Sequence, residues 1–159
     1  MNKIIFGLCS LLAAYTTSFS QGISIVKISA IENLLTSKSD KIQIVNFWAT
    51  WCAPCVKEMS LFEKINGTDK TAKVTLVSLD LQTDDSQEKI YKFAERKKIT
   101  STIFILDEPD ANSWIDKIDT RWSGALPATI VINTLTRKRK FIERELKEGE
   151  LEELIKQVK

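Results

Sequence analysis

Apolar positions recur with two different periods along the chain, which indicates that strands and helices alternate. Residues 23–28 (ISIVKI) alternate as a strand does, and residues 30–36 have the pattern of a short helix. Residues 41–48 (KIQIVNFW) form an almost continuous apolar run, typical of a central strand buried on both faces. Pro54 then suits the first turn of a helix, and Asn66-Gly67 is expected to end that helix.

The alternation continues through the second half of the chain. The pattern predicts strands over 73–80 and 102–106, with a helix between them opened by a capping box of Asp85 and Glu88. A short helix over 112–119 and a strand pair over 128–133 and 140–144 are expected to follow. The last predicted helix has one apolar face, formed by Leu151, Leu154, Ile155 and Val158. This order predicts an α/β fold, a sheet flanked by helices with an antiparallel hairpin at its end.

The first twenty residues have a different pattern. Lys3 precedes an apolar run of about a dozen residues, and small and hydroxylated residues follow it, which is the order of a secretory signal peptide. We therefore predict a signal peptide over 1–20, one domain over 21–159, and an exported, periplasmic protein. A buried first element is the alternative, as is an uncleaved anchor, although the run is short for a membrane span of about 20 residues.

Composition and charge argue against a nucleic-acid-binding protein. The 159 residues include 23 basic and 21 acidic side chains, giving a net charge of +2, so we expect no nucleic-acid partner. The basic run 137–140 (RKRK) falls at the predicted hairpin turn and indicates a solvated loop. Of three cysteines, Cys9 lies in the predicted signal peptide, and the bulky Leu8 before it argues against a lipid-modified cysteine.

The remaining cysteines, Cys52 and Cys55, form a C-x-x-C pair that allows three interpretations. A zinc site lacks further ligands, because the chain has no histidine. A structural disulfide closing so short a loop would stabilise little. A redox pair fits best, since the end of a strand and the start of a helix would expose Cys52 and favour its thiolate. We therefore expect a redox-active disulfide and no metal or other cofactor.

The residues around the pair resemble a known family. FWATWCAPC is similar to the active-site segment of the thioredoxin superfamily, NFWATWCAPCVKE resembles its exported TlpA-like branch, and WSGALPATIVIN resembles that branch's cis-proline loop. The resemblance covers nearly all of residues 23–159. It implies a thioredoxin-like fold with a central mixed sheet, Pro127 in cis beside the cysteines, and a backbone at Leu126 that binds a substrate peptide.

We also predict the roles of three residues near the cysteine pair. Glu58 lies on the same helical face as Cys55, and the resemblance implies that it helps proton transfer, which requires burial and a raised pKa; an exposed glutamate in the first turn is the alternative. Asn46 stands where cytosolic thioredoxins have a buried aspartate and cannot exchange protons. We expect Trp51 to cover the disulfide or line a substrate groove, whereas the other three tryptophans pack in the core or in loops, Trp122 near the proline loop.

These residues predict an exported thiol–disulfide oxidoreductase that works as a reductant, because no imidazole is present to stabilise a thiolate strongly. The resemblance implies protein disulfide substrates, with apocytochrome c as one candidate, and a membrane thiol–disulfide transporter as electron donor. We expect a monomer. The alternatives are a disulfide isomerase, a non-catalytic peptide-binding module, or a thiol peroxidase, which is disfavoured by Ala49 at the position of a peroxidase threonine.

Overall fold

A mixed six-stranded sheet lies at the centre of the fold. The computed structural model describes residues 22–80 and 86–159. In chain order its elements are β1 (Ile23–Val26), α1 (Ile28–Thr36), β2 (Ile42–Trp48), α2 (Ala53–Thr68), β3 (Ala72–Ser78), α3 (Ser86–Lys97), β4 (Thr102–Leu106), a single 3-10 turn (Ala111–Ser113), α4 (Ile115–Ile118), β5 (Ala128–Ile132), β6 (Arg139–Ile142) and α5 (Glu150–Val158). The predicted α/β order is confirmed.

The strand order in the sheet is β1-β4-β3-β2-β5-β6. The first four of these strands are parallel, whereas β5 and β6 run antiparallel to their neighbours. Since parallel strands end at one edge of the sheet, the segments that follow β2, β3 and β4 meet there. The predicted cysteine pair follows β2 and therefore lies at this edge.

The central strand β2 separates two apolar layers. All seven of its residues are buried, as predicted for residues 41–48. Ile44 and Trp48 face the layer covered by α2, α3 and α5, which we call the α2 side. Val45 and Phe47 face the layer covered by α1 and α4, the α1 side, where Trp114 and Trp122 also pack. The three tryptophans expected in the core or in loops therefore all lie in the core, because each is at most 4% exposed.

The predicted end of α2 at Asn66-Gly67 is wrong, because the helix continues to Thr68. The N–H of Asp69 bonds the carbonyl of Ile65 at 2.9 Å, and the Asp69 carboxylate accepts the Thr71 N–H at 2.8 Å. This side-chain turn ends the helix.

The helix predicted over 112–119 is also interrupted. The 3-10 turn gives way to α4 at Trp114, whose φ of −137° leaves the helical range. Trp114 adopts this conformation with its indole buried and its Nε1 donating to the Glu108 carbonyl at 3.3 Å. Core packing of one side chain thus overrides the local helical pattern.

The basic run 137–140 is solvated only in part. Arg137 and Lys138 lie in the exposed hairpin turn, but Arg139 belongs to β6 and is half-buried. Its guanidinium pairs with Asp119 at 3.2 Å and donates to the Ile118 carbonyl, so it fixes the end of α4 to the sheet.

Two predictions fall outside the described residues: the signal peptide over 1–20 and Asp85 of the capping box. Within the two ranges that the structure describes, no helix combines the length and apolar character that crossing a membrane requires.

We expect Phe62→Ala to lower the free energy of unfolding by about 3–5 kcal/mol, because a large buried side chain is replaced by a cavity. Phe62 is 0% exposed and packs α2 against the sheet. Urea denaturation would measure the change, with Ser60→Ala on the exposed face of the same helix as control. Equal stabilities of the two variants would contradict this view of the core.

Candidate active site

The cysteine pair lies at the junction of β2 and α2. A turn after the strand is closed by the Cys52 N–H, which donates to the Ala49 carbonyl at 3.1 Å. Cys52 is the N-cap of α2, and its Sγ accepts the Cys55 N–H at 3.3 Å, with Pro54 in the first turn. Cys52 and Cys55 form a disulfide whose Cα atoms are 5.3 Å apart.

The disulfide is nearly enclosed by protein. Cys55 is 0% exposed and Cys52 only 5%, so the expectation of an exposed Cys52 is wrong for the oxidised protein. Cys52 is nevertheless the more exposed of the two cysteines, as expected. Trp51, by contrast, is 73% exposed beside it.

Glu58 is buried one helical turn below the disulfide. It is 1% exposed, so the alternative of an exposed first-turn glutamate is wrong. Asn46 of β2 donates from Nδ2 to Glu58 Oε1 at 2.9 Å and to Thr129 Oγ1 of β5 at 3.0 Å. The Leu146 N–H, in the loop before α5, donates to Glu58 Oε2 at 2.6 Å. Glu58 thus joins helix, sheet and loop.

Burial and hydrogen bonding act on Glu58 in opposite directions. Burial raises the pKa of Glu58 to about 7, although the hydrogen bonds from Leu146 and Asn46 lower it by stabilising the carboxylate. The loss of hydration has the larger effect. At neutral pH the carboxyl group is therefore divided between its two protonation states.

Asp80 is a site residue that the sequence did not single out. Its carboxylate accepts the Thr50 N–H at 2.9 Å, the Thr50 hydroxyl at 2.7 Å and the Ser78 hydroxyl at 2.7 Å. These bonds fix the turn from which Trp51 and Cys52 project. The available signal was its position just after a parallel strand, at the edge where such sheets carry their sites.

A loop from α4 to β5 completes the site. The peptide bond between Leu126 and Pro127 is cis, as the resemblance implied. Pro127 is buried, and Leu126 is half-buried against both apolar layers. The structure therefore brings Leu126 to the edge that carries the cysteines.

A groove of about 370 Å³ lies between this loop and Trp51. Its wall is mostly apolar and comes from four segments that are distant in the sequence. The lining residues are Trp51, Leu79, Leu106, Glu108, Pro109, Ala111, Trp114, Gly124, Ala125 and Leu126. The sequence suggested Trp51 and Leu126, but it missed Leu79 and Leu106, which the strand order alone brings to the groove.

No metal-binding cluster of three or more His, Cys, Asp or Glu side chains is found in residues 22–80 and 86–159. The chemical groups that the structure brings together at the site include the disulfide, the buried carboxyl of Glu58 and the backbone of the proline loop.

Comparison with known proteins places the chain in a family. Its sequence matches the AhpC/TSA family over residues 13–137. The chain belongs to this family. It is 25% identical over 128 residues to the thiol-disulfide oxidoreductase ResA of Geobacillus thermodenitrificans, an alignment that covers 80% of this chain and 69% of ResA. It is 30% identical over 63 residues to the sporulation thiol-disulfide oxidoreductase A of Bacillus subtilis, covering 39% and 38%.

Solved structures give the same fold. A thioredoxin-related protein from Neisseria meningitidis serogroup B has a TM-score of 0.61 and 28% identity, covering 76% of this chain and 86% of that one. StoA from Bacillus subtilis has a TM-score of 0.57 and 21% identity, covering 74% and 84%. The predicted thioredoxin-like fold and TlpA-like branch are confirmed. With the Cys52–Cys55 pair, these relatives make the chain a thiol–disulfide oxidoreductase.

As the pH rises from about 4.5 to about 7, we expect the oxidised protein to lose stability through the titration of Glu58. The folded protein keeps the proton up to a pKa of about 7, whereas the unfolded chain releases it near the ordinary value of 4.5. The unfolded state therefore binds fewer protons in this window, and the loss from this one group amounts to about 3 kcal/mol.

Urea denaturation at several pH values would measure this slope. Glu58→Gln should flatten it, whereas Glu153→Gln, at an exposed glutamate of α5, should leave it unchanged. A slope that survives in Glu58→Gln would assign the titration to another group.

Proposed function

We propose that this oxidoreductase is exported and reduces disulfide bonds of other proteins, with Cys52 as the attacking thiol and Cys55 as the resolving thiol. The observation that carries the proposal is the position of the pair. Cys52 caps α2 next to Trp51, which lines a groove, and Cys55 lies fully buried one turn further into the helix. The helix N-terminus favours the Cys52 thiolate, which is the nucleophile in disulfide exchange.

The reaction transfers two electrons in two exchange steps. The Cys52 thiolate attacks one sulfur of the substrate disulfide, forms a mixed disulfide and releases the other substrate sulfur as a thiolate. Cys55 then loses its proton and attacks Cys52 Sγ, which re-forms the Cys52–Cys55 disulfide and releases the second substrate thiolate. The substrate gains two electrons and two protons, and the enzyme dithiol loses them.

Glu58 is proposed to accept the proton of Cys55 in the second step. The two residues are three positions apart on α2, so their side chains share one helical face. A pKa of about 7 suits a base that works near neutral pH. Asn46, the polar neighbour of Glu58 on β2, has no ionisable group and serves as a hydrogen-bond donor instead.

The groove is proposed to receive the substrate chain. Trp51 offers an exposed apolar surface beside Cys52, and Leu126, which precedes the cis Pro127, lines the opposite side. An extended peptide placed between them would pair its backbone with that of Leu126, in the manner of an added strand.

The charges around the pair support a reductant. The chain contains no histidine, and Ala53 and Pro54 stand between the cysteines. Glu58 lies one helical turn below the disulfide and Asp80 is bonded to Thr50, and their carboxyl groups do not stabilise a negative sulfur. An unstabilised thiolate gives up electrons more readily, which is the property of a reducing protein.

Export and partners complete the proposal. The signal-peptide pattern of residues 1–20 supports a periplasmic location. A reductant working there needs a membrane thiol–disulfide transporter as electron donor. Exported proteins with oxidised cysteines, apocytochrome c among them, are the proposed substrates, and the protein would act as a monomer.

Peroxide reduction is the second candidate function, because the matched family is AhpC/TSA. Ala49 occupies the position three residues before Cys52 where a peroxidase would place a threonine. Comparing hydrogen peroxide consumption with the reduction of a protein disulfide by the same reduced enzyme would decide between the two, and faster peroxide turnover would favour the peroxidase.

We expect Cys55→Ala to accumulate mixed disulfides with its substrates, because the resolving attack is removed. Non-reducing gel electrophoresis and mass spectrometry of the trapped species would identify them. Cys52→Ala is the matched control and should trap none. Trapping by Cys52→Ala alone would reverse the two roles.

We expect a reduction potential below about −200 mV, on the reducing side of protein disulfide isomerase. Equilibration with glutathione buffers, read by the fluorescence of the tryptophans, would measure it. Pro54→His places an imidazole between the cysteines and should raise the potential, with about 30 mV for each tenfold stabilisation of the reduced form. A wild-type value near −120 mV, that of a strong oxidant, would refute the reductant assignment.

A further inference from the structure

Glu143, directly after β6, is bonded to the loop that carries the cis proline. Its Oε1 accepts the Ser123 N–H at 3.0 Å and the Ala125 N–H at 3.0 Å. The Ser123 hydroxyl donates to the same oxygen. One carboxylate oxygen therefore holds three donors from two loop residues, although nothing in the sequence pattern linked position 143 to this loop.

Gly124 makes this convergence possible. Its φ of +93° lies in the region that favours glycine, and it turns the N–H groups on either side of it toward one point. A Cβ at this position would also lie 3.2 Å from the Ile115 Cδ1. The loop thus forms a small anion-binding turn, and Glu143 supplies the anion.

The backbone of Ala125 is occupied on both sides. Its N–H bonds Glu143, and its carbonyl accepts the Trp122 Nε1–H at 2.9 Å. The next residue differs: across the described part of the chain, no hydrogen bond involves the N–H or carbonyl of Leu126. Pro127, which follows, has no N–H to offer. The loop is therefore fixed up to Leu126, whose own backbone groups remain available.

We propose that Glu143 is a positioning residue for substrate recognition: it holds Ser123 and Ala125 so that the Leu126 backbone can pair with an extended peptide segment beside the substrate's disulfide. The inference rests on the proposed function and adds the residue that orders its binding edge. Glu143 touches neither the disulfide nor Glu58, so its role concerns binding of the peptide rather than exchange of the sulfurs.

The charge of Glu143 supports this role. Partial loss of hydration acts to raise the pKa of Glu143, but the hydrogen bonds from Ser123 and Ala125 outweigh it and keep the pKa below its ordinary value. The group is therefore a carboxylate at neutral pH, and its bonds to the loop are charge-assisted.

The test compares two substrates on the full-length reduced protein. One is a peptide with an intramolecular disulfide, which offers a backbone to Leu126. The other is the small aromatic disulfide 5,5′-dithiobis(2-nitrobenzoate), which offers none. The variants are Glu143→Ala, the conservative Glu143→Gln, which keeps an acceptor oxygen, and the control Glu148→Ala, at an exposed glutamate that pairs with Lys64.

For Glu143→Ala we expect KM for the peptide to rise about tenfold, the effect of losing roughly one charge-assisted hydrogen bond, with kcat unchanged. The rate with the aromatic disulfide and the reduction potential should match wild type. Glu143→Gln should recover most of the KM, and Glu148→Ala should equal wild type.

Two results would overturn the proposal. One is an unchanged peptide KM in Glu143→Ala. The other is an equal loss of activity with both substrates in Glu143→Ala and in Glu143→Gln, which would show that Glu143 has a general structural role. Failure of the proposed function has a different signature, because the wild-type protein itself would then fail to reduce the peptide disulfide.

Discussion

The double burial of β2 is the constraint on which the rest of the structure depends. Every residue of this strand is buried, and it pairs with β3 on one edge and β5 on the other. Its register therefore cannot shift without moving apolar side chains between the two layers. Because Cys52 follows the end of this strand by four residues, the position of its sulfur is set by the core. The antiparallel pairing with β5 places Pro127 at the same end of β2, so one strand determines both halves of the site.

Buried polar groups give this apolar frame its chemistry. Glu58 and Asn46 occupy positions where an aliphatic side chain would pack with less cost in hydration. Their hydrogen bonds to each other, to Thr129 and to the Leu146 N–H offset part of that cost. The remainder appears as the raised pKa of Glu58, so a loss of stability and a usable proton site have the same origin.

Local patterns predicted the strand and helix order, because burial with period two or 3.6 is recorded directly in the sequence. They also located the cysteine pair, since Pro54 and the strand before it define the start of a helix. They failed where a distant contact decides, as at Trp114, which interrupts a helix to reach the core, and they also missed the local side-chain turn by which Asp69 ends α2. Asp80 and Glu143 were missed because their partners are distant in the sequence. Asp80 holds Thr50, which is 30 positions away, and no periodicity relates the two. Glu143 holds Ser123 and Ala125, which are 20 and 18 positions away.

The near-complete enclosure of the disulfide has a kinetic consequence. Of the two cysteines only Cys52 reaches solvent, and only with 5% of its surface, so in the proposed reaction one sulfur atom serves every partner. A protein that delivers electrons and a protein that receives them have to occupy the same place in turn. Turnover would then follow a ping-pong scheme in which the two partners compete, and an excess of either one would inhibit the other half of the cycle.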